Sequence, residues 1–216
     1  YISGRTNSVA FITGQPNIFY IAAAQGGVWK TLNGGVNWVA ITEDLSTLAC
    51  GDVVVDPVNP NVIYLGTGEL NYSGDSQYGD GIFKSATGGL TWQQVAPGSL
   101  VGTRCSYMAV DPVNNNNVYF AGNLGVFKST NAGLNWVNMN SGTNANCLII
   151  DPLAPQTIYI TTGGTSAGAV KKSIDLARLA TIKSPLSKFQ VLILLLFVIV
   201  TRDLLSGLKL DFFIIS

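Results

Sequence analysis

The sequence predicts an all-β protein, a partial β-propeller of about four four-stranded blades in an incomplete ring, followed by an aberrant hydrophobic tail. Three observations carry this. A segment recurs in register: GVWKTLNGGVNW at 27–38, GIFKSATGGLTW at 81–92 and GVFKSTNAGLNW at 125–136. A second block recurs upstream, as DVVVDPVNPNVIYLGTG at 52–68, YMAVDPVNNNNVYFAGN at 107–123 and CLIIDPLAPQTIYITTG at 147–163. Finally, glycine is frequent, with 24 residues, and only 11% of the chain is charged. Self-similar units of this size with four short strands each are the mark of propeller blades. A β-sandwich shares the many short strands, but it does not require the same four to recur.

Each unit translates into strands in the same order. Runs such as VVVD and MAVD are apolar and stop at Asp-Pro, which favours a turn. NVIYLG and NVYFAG are rich in β-branched and aromatic residues, which suit a pleated, half-buried surface. GVWK and GIFK make a third strand, and NWVAI, TWQQV and NWVNM a fourth. The opening stretch SVAFITGQPNIFYIAAA at 8–24 is the first block again with Asp-Pro replaced. The blades are expected at about 7–42, 51–95, 106–139 and 146–175 within a propeller region 4–175, the last one incomplete.

The polar turn between third and fourth strands has its own chemistry. Its residues are Thr31, Asn33, Gly35, Asn37 and Trp38; then Ser85, Thr87, Gly89, Thr91 and Trp92; then Ser129, Asn131, Gly133, Asn135 and Trp136. Short polar side chains accept backbone N–H bonds inside such a turn. Glycine supplies backbone angles that a Cβ resists. Tryptophan offers a large apolar body to bury between neighbouring sheets. This spacing resembles the Asp-box, or bacterial neuraminidase repeat, with Asn, Thr and Asn standing where the family has Asp. The resemblance implies a structural role for these residues, stapling third strand to fourth. It extends over about 4–175, and the openings GRTNSVAF, GGVWKT and DPVNPNVIYLGTGE look most like sortilin-type and secreted bacterial sialidase-like propellers.

Composition closes off several functions. The chain has no histidine, which removes the commonest general base and zinc ligand. Formal net charge is zero, with no basic run to engage nucleic acid. Cys50, Cys105 and Cys147 are odd in number and widely spaced, so they fit neither a disulfide framework nor a metal set. From about 176 the composition changes. The most apolar run, FQVLILLLFVIVT at 189–201, makes a helix of only ~20 Å, against a bilayer core of ~30 Å, so a membrane span is not expected. A packed helix or strand remains open, as does a non-native end beginning where the fourth polar turn breaks off after Asp175.

Function concentrates on long loops of a rigid scaffold. One second-to-third connector is long: TGELNYSGDSQYGD, 67–80. It opens on the face opposite the polar turns, where sialidase-like propellers carry their sites. Glu69, Asn71, Tyr72, Asp75, Tyr78 and Asp80 are its candidate binding residues. Its carboxylates suit a hard cation such as Ca²⁺, a sugar or a peptide, or else the loop packs on itself. Asn71-Tyr72-Ser73 is also a glycosylation sequon.

The resemblance also tests two enzymatic branches. Sialidases carry an arginine triad, and only Arg5 and Arg104 lie within the blades. Xyloglucan hydrolases carry an Asp just before the first blade's Gly-Gly, and here Gln25 precedes Gly26-Gly27. The expectation is therefore a non-catalytic, extracytoplasmic binding or adhesion propeller, secreted or at a cell surface, with a glycan, peptide or protein ligand and no cofactor. Further blades or domains of a larger parent protein are expected with it. The alternative is a section of a propeller glycoside hydrolase that lacks its catalytic carboxylates.

Overall fold

The repeated apolar runs form strands whose order within each unit is the order of the chain. The structure is a computed structural model and describes residues 4–72, 74–96, 98, 100–152, 154–163, 168–173 and 180–181. The described residues are all-β. The first sheet contains β1 (Thr6–Ile12), β2 (Gln15–Ala23), β3 (Gly27–Thr31) and β4 (Val39–Ala40). The second contains β5 (Cys50–Val55), β6 (Ile63–Thr67), β7 (Ile82–Ser85) and β8 (Gln93–Gln94). The third contains β9 (Cys105–Val110), β10 (Val118–Gly122), β11 (Gly125–Ser129) and β12 (Val137–Ser141). The fourth contains β13 (Ala145–Ile150), β14 (Ile158–Thr162), β15 (Ala169–Ser173) and β16 (Ala180–Thr181). Every sheet is an antiparallel meander with its strands in sequence order, as a blade requires.

The fourth sheet reaches past the limit at 175 expected from sequence. Ala180 and Thr181 pair with Lys172 and Lys171. The backbone supplies all the hydrogen-bonding groups a two-residue strand needs, so β16 forms without the Gly and Trp that sign the other three units. The tail at 182–216, with its apolar run, and most of the broken fourth turn lie outside the described residues. Among the described residues no helix is long and apolar enough to cross a membrane.

The core lies between blades, because side chains alternate across each strand. Ala10, Tyr20, Ala22 and Val28 on the rear of blade one meet Val53, Val55, Ile63, Leu65 and Phe83 on the front of blade two. The same arrangement joins blade two to three through Tyr64, Ile82, Met108, Val118, Phe120 and Phe127. It joins three to four through Tyr119, Ala121, Val126, Leu148, Ile158 and Ile160. Each buried pair of faces therefore needs a neighbour, as in other stacked repeats.

The polar turns form the same hydrogen bonds three times. The Thr31 hydroxyl accepts from the amides of Asn33 and Gly35, and Asn33 Oδ1 accepts from Asn37 N–H. Ser85 accepts from Thr87 and Gly89, and Thr87 Oγ1 from Thr91. Ser129 accepts from Asn131 and Gly133, and Asn131 Oδ1 from Asn135. Gly35, Gly89 and Gly133 have φ of 92°, 93° and 94°, a left-handed region that favours glycine. The tryptophans are only partly buried. Trp92 packs on the core between blades one and two and donates to the Ile41 carbonyl at 2.7 Å. Trp136 packs on the next core. Trp38, with no blade in front of it among the described residues, meets the Phe19 ring edge-on, centroids 5.3 Å apart.

A second repeated contact ties one blade to the next. Tyr on the second strand and Lys on the third sit directly opposite each other: Tyr20 and Lys30, Tyr64 and Lys84, Tyr119 and Lys128, Tyr159 and Lys172. In each pair the ammonium lies over the ring, 5.2–5.8 Å from its centroid, within cation–π range. Lys30 and Tyr20 both donate to the Gly88 carbonyl in the next blade's turn, at 2.9 and 3.5 Å. Lys84 and Tyr64 both donate to Ala132, the equivalent residue one blade on, at 3.0 and 3.1 Å. Burial lowers the pKa of Lys30, Lys84 and Lys128.

Candidate functional site

Antiparallel order divides the propeller into two faces. The ends of strands two and the starts of strands one and three lie on one face, here called the upper face. The polar turns and the Asp-Pro turns lie on the other. The long connector after β6 therefore belongs to the upper face, as its place in the repeat predicts. The structure shows what it does there: it straps the inner strands of all four blades.

Glycine makes the strap possible. Gly68 donates to the Ala49 carbonyl at 2.8 Å and Gly79 to Thr103 at 2.7 Å. A Cβ on Gly79 would lie 2.2 Å from the Thr67 backbone, and one on Gly68 2.4 Å from the Thr103 carbonyl, so only glycine admits this approach. Leu70 N–H then donates to Cys105 O at 3.1 Å, fixing the strap to the start of β9.

Glu69 is the anchor. It is 0% exposed, and its Oε2 accepts from Arg5 at 2.5 Å, Asn7 at 3.2 Å and Asn71 at 3.0 Å. Its Oε1 is buried without a hydrogen-bond partner among the described residues. The carboxylate raises the pKa of the Arg5 guanidinium through that hydrogen bond. Asn7 also donates to the Cys50 carbonyl at 2.7 Å, so one side chain links the first strands of two blades to the strap.

The other candidate residues divide between structure and surface. Asn71 donates to Asn7 Oδ1 at 3.0 Å as well as to Glu69. Tyr72 takes a left-handed φ of 54°, uncommon for a bulky residue, and donates to Asn146 Oδ1 or the Gly163 carbonyl of blade four, at 2.6 and 2.7 Å. Asp75 lies 3.8 Å from Arg5, and its carbonyl accepts from Gln25 at 3.1 Å. Tyr78 is 59% exposed and covers the Arg104 guanidinium at 4.1 Å from ring centroid to Cζ. Asp80 accepts the Ser46 hydroxyl at 2.5 Å.

The geometry sorts the side chains of the loop. The three carboxylates of the loop do not converge, and no group of three or more metal-ligating side chains occurs among the described residues. Glu69 is turned inward because a buried carboxylate needs compensating donors, and Arg5, Asn7 and Asn71 supply them. Tyr72, Tyr78 and Asp75 keep exposed surface. Sequence reading missed the partners: Arg5, Asn7, Gln25, Ser46, Arg104 and Asn146 are distant in the chain. The nearest signal was that each lies at or just before the start of a first strand, or in a connector on the upper face.

The comparisons with known proteins agree on the fold. No protein-family model matches the chain. It is similar to a xyloglucanase of Paenibacillus sp., 26% identical over 166 residues that make up 69% of this chain and 16% of the relative. It is similar to a xyloglucanase of Hypocrea jecorina, 30% identical over 153 residues, 62% of this chain and 18% of that one. The chain thus spans less than a fifth of the length of these two curated relatives. Among solved structures, it superposes on an ancestral GH74 enzyme with a TM-score of 0.70 at 23% identity, covering 85% of this chain and 26% of that one. A partial β-propeller accounts for both the four sheets and these likenesses.

Proposed function

We propose that this chain is the glycan-contacting section of a xyloglucan-processing propeller that works outside the cytoplasm. It holds ligand on the upper face and leaves bond cleavage to residues elsewhere in a larger protein. The carrying observation is the strap: its base is locked into blades one, two and three, the Tyr72 hydroxyl ties it to blade four, and the Tyr72 and Tyr78 side chains keep exposed surface. A rigid aromatic with a polar tip suits a sugar ring, whose C–H faces stack and whose hydroxyls need hydrogen-bond partners. The sequence similarity to xyloglucanases favours this ligand class over a peptide. Gln25, at the position where xyloglucan hydrolases carry a carboxylate, speaks for binding without turnover. Glycoside hydrolysis uses two placed carboxyl groups. The polar turns are read as Asp-boxes with a structural role.

The test is titration of the 216-residue chain with xyloglucan oligosaccharides, followed by calorimetry and by reducing-sugar release. Binding without release is expected. Tyr78→Ala should weaken it about tenfold, the loss of roughly 1.4 kcal/mol expected for one stacking contact. Absence of binding to xyloglucan overturns the proposal, and so does release of sugar by the chain alone.

A further inference from the structure

Arg104 stands just before β9 and packs on Tyr78 of the strap, its Cζ 4.1 Å from the ring centroid. Arg104 is held from two sides. Its backbone N–H donates to Asn123 Oδ1 at 2.7 Å, and its carbonyl accepts from the Asn123 N–H at 3.1 Å. Its Nη2 donates to the Ser76 carbonyl at 3.0 Å, so one side chain touches the strap at both Ser76 and Tyr78. Its Nε is buried and has no hydrogen-bond partner among the described residues. Hydrogen bonds alone therefore do not account for this guanidinium. The ring over it does, because a flat cation is attracted to an aromatic face. Elsewhere among the described residues, lysines lie over Tyr20, Tyr64, Tyr119 and Tyr159, which are buried or half-buried. Tyr78 differs. It is 59% exposed with one face taken by the guanidinium, which leaves the opposite face to solvent.

We propose that Arg104 is a positioning residue for ligand: it backs the Tyr78 ring and makes it a fixed, one-sided stacking surface. The backbone on either side of Tyr78 is already tied down. The Gln77 carbonyl accepts from the Glu69 N–H at 3.0 Å, and the Gly79 N–H donates to Thr103 at 2.7 Å. What is left to fix is the direction of the ring, and the guanidinium fixes it. A sugar then meets an aromatic face that is oriented beforehand. The side-chain entropy of Tyr78 is lost on folding and not on binding, which is how preorganisation gains affinity. Arginine suits this place because its plane lies flat on a ring, whereas lysine brings a point charge. The choice of a sugar as occupant rests on the glycan reading above; the stacked pair does not.

Two measurements on the full chain test this. The first is calorimetric titration with xyloglucan oligosaccharides of the parent, Arg104→Met, Tyr78→Ala and the double variant. Arg104→Met should weaken binding about two- to fivefold, the worth of an exposed cation–π contact. Added to Tyr78→Ala it should weaken binding no further, because Arg104 acts through the ring. Equal losses in both backgrounds overturn the proposal, since they mean that Arg104 touches the sugar itself or shapes the whole strap. Unchanged binding by Arg104→Met overturns it too. The second measurement needs no ligand. It is fluorine NMR of the chain carrying 3-fluorotyrosine, with the Tyr78 resonance identified by its loss in Tyr78→Phe. In Arg104→Met that resonance should move toward the shift and linewidth of a free side chain. If it does not move, the proposal fails. Circular dichroism checks folding, and should Arg104→Met not fold, Arg104→Lys keeps the charge without the plane and should displace the same resonance. A parent chain that binds no xyloglucan overturns the glycan reading alone, and the fluorine signal then decides the role of Arg104.

Discussion

Arg5 and Glu69, 64 positions apart, meet at 2.5 Å between the entry to blade one and the strap of blade two. The carboxylate is fully buried and the guanidinium side chain is 39% exposed, so the pair is anchored on its acidic side. Arg5→Met strands the charge of Glu69 with only the two asparagine donors. Removing one member of a fully buried pair costs ~3–5 kcal/mol. Partial exposure of Arg5 and the remaining donors make the loss smaller than that, read as a lower midpoint in urea unfolding. The double variant Arg5→Met/Glu69→Leu should recover part of it, because the uncompensated charge is gone.

The tyrosine–lysine pairs differ in what their hydroxyls meet among the described residues. Tyr64 donates to Ala132 at 3.1 Å, and Tyr64→Phe should cost about 1 kcal/mol. The Tyr119 hydroxyl is buried without a partner among the described residues. Tyr119→Phe removes a hydroxyl that has no partner among the described residues and should cost less than Tyr64→Phe. Thermal unfolding of the two variants side by side tests the contrast.

The polar turns stand or fall with their glycine and hydroxyl. A Cβ on Gly89 would fall 2.6 Å from Ile41 Cδ1 at a φ of +93°. Gly89→Ala should therefore cost about 2–3 kcal/mol from backbone strain and the clash together. Ser85→Ala frees the amides of Thr87 and Gly89 and should cost about 1–2 kcal/mol. Chemical denaturation measures both.

Buried thiols predict a pH dependence. Burial, helped by the Glu69 charge, pushes the Cys50 thiol from 9.0 up to about 12, and burial raises Cys105 as well. An acid whose folded pKa is raised contributes stability that is fully present below its unfolded value and is lost as pH rises through the folded one. Stability should fall between about pH 9 and 12, and Cys50→Ala should flatten that decline. In the native state at pH 8, both thiols should resist alkylation until denaturant is added.

The turns and strands were legible because their determinants are local. Thr31, Ser85 and Ser129 bond to amides two and four residues away, so a short window of sequence contains the whole interaction. β16 has no such motif in the sequence: it is placed by its pairing with Lys171 and Lys172. The lysine after two apolar residues was visible as a repeat, yet its partner was not. Register had to place it opposite a tyrosine before the shared carbonyl could be found.

The 67–80 connector draws the same line within the candidate site. Its length, its carboxylates and its face of the propeller follow from sequence alone, through strand order and loop spacing. How its side chains are oriented does not, because Glu69 is held by Arg5 and Asn7 from another blade, and Tyr72 by Asn146 and Gly163 from a third. Sequence by itself determined the repeating unit, since hydrogen bonds within a turn and alternation along a strand are short-range. Only the tertiary structure decided that the loop is a strap with two exposed tyrosines, since the desolvation of a carboxylate depends on what the fold brings around it.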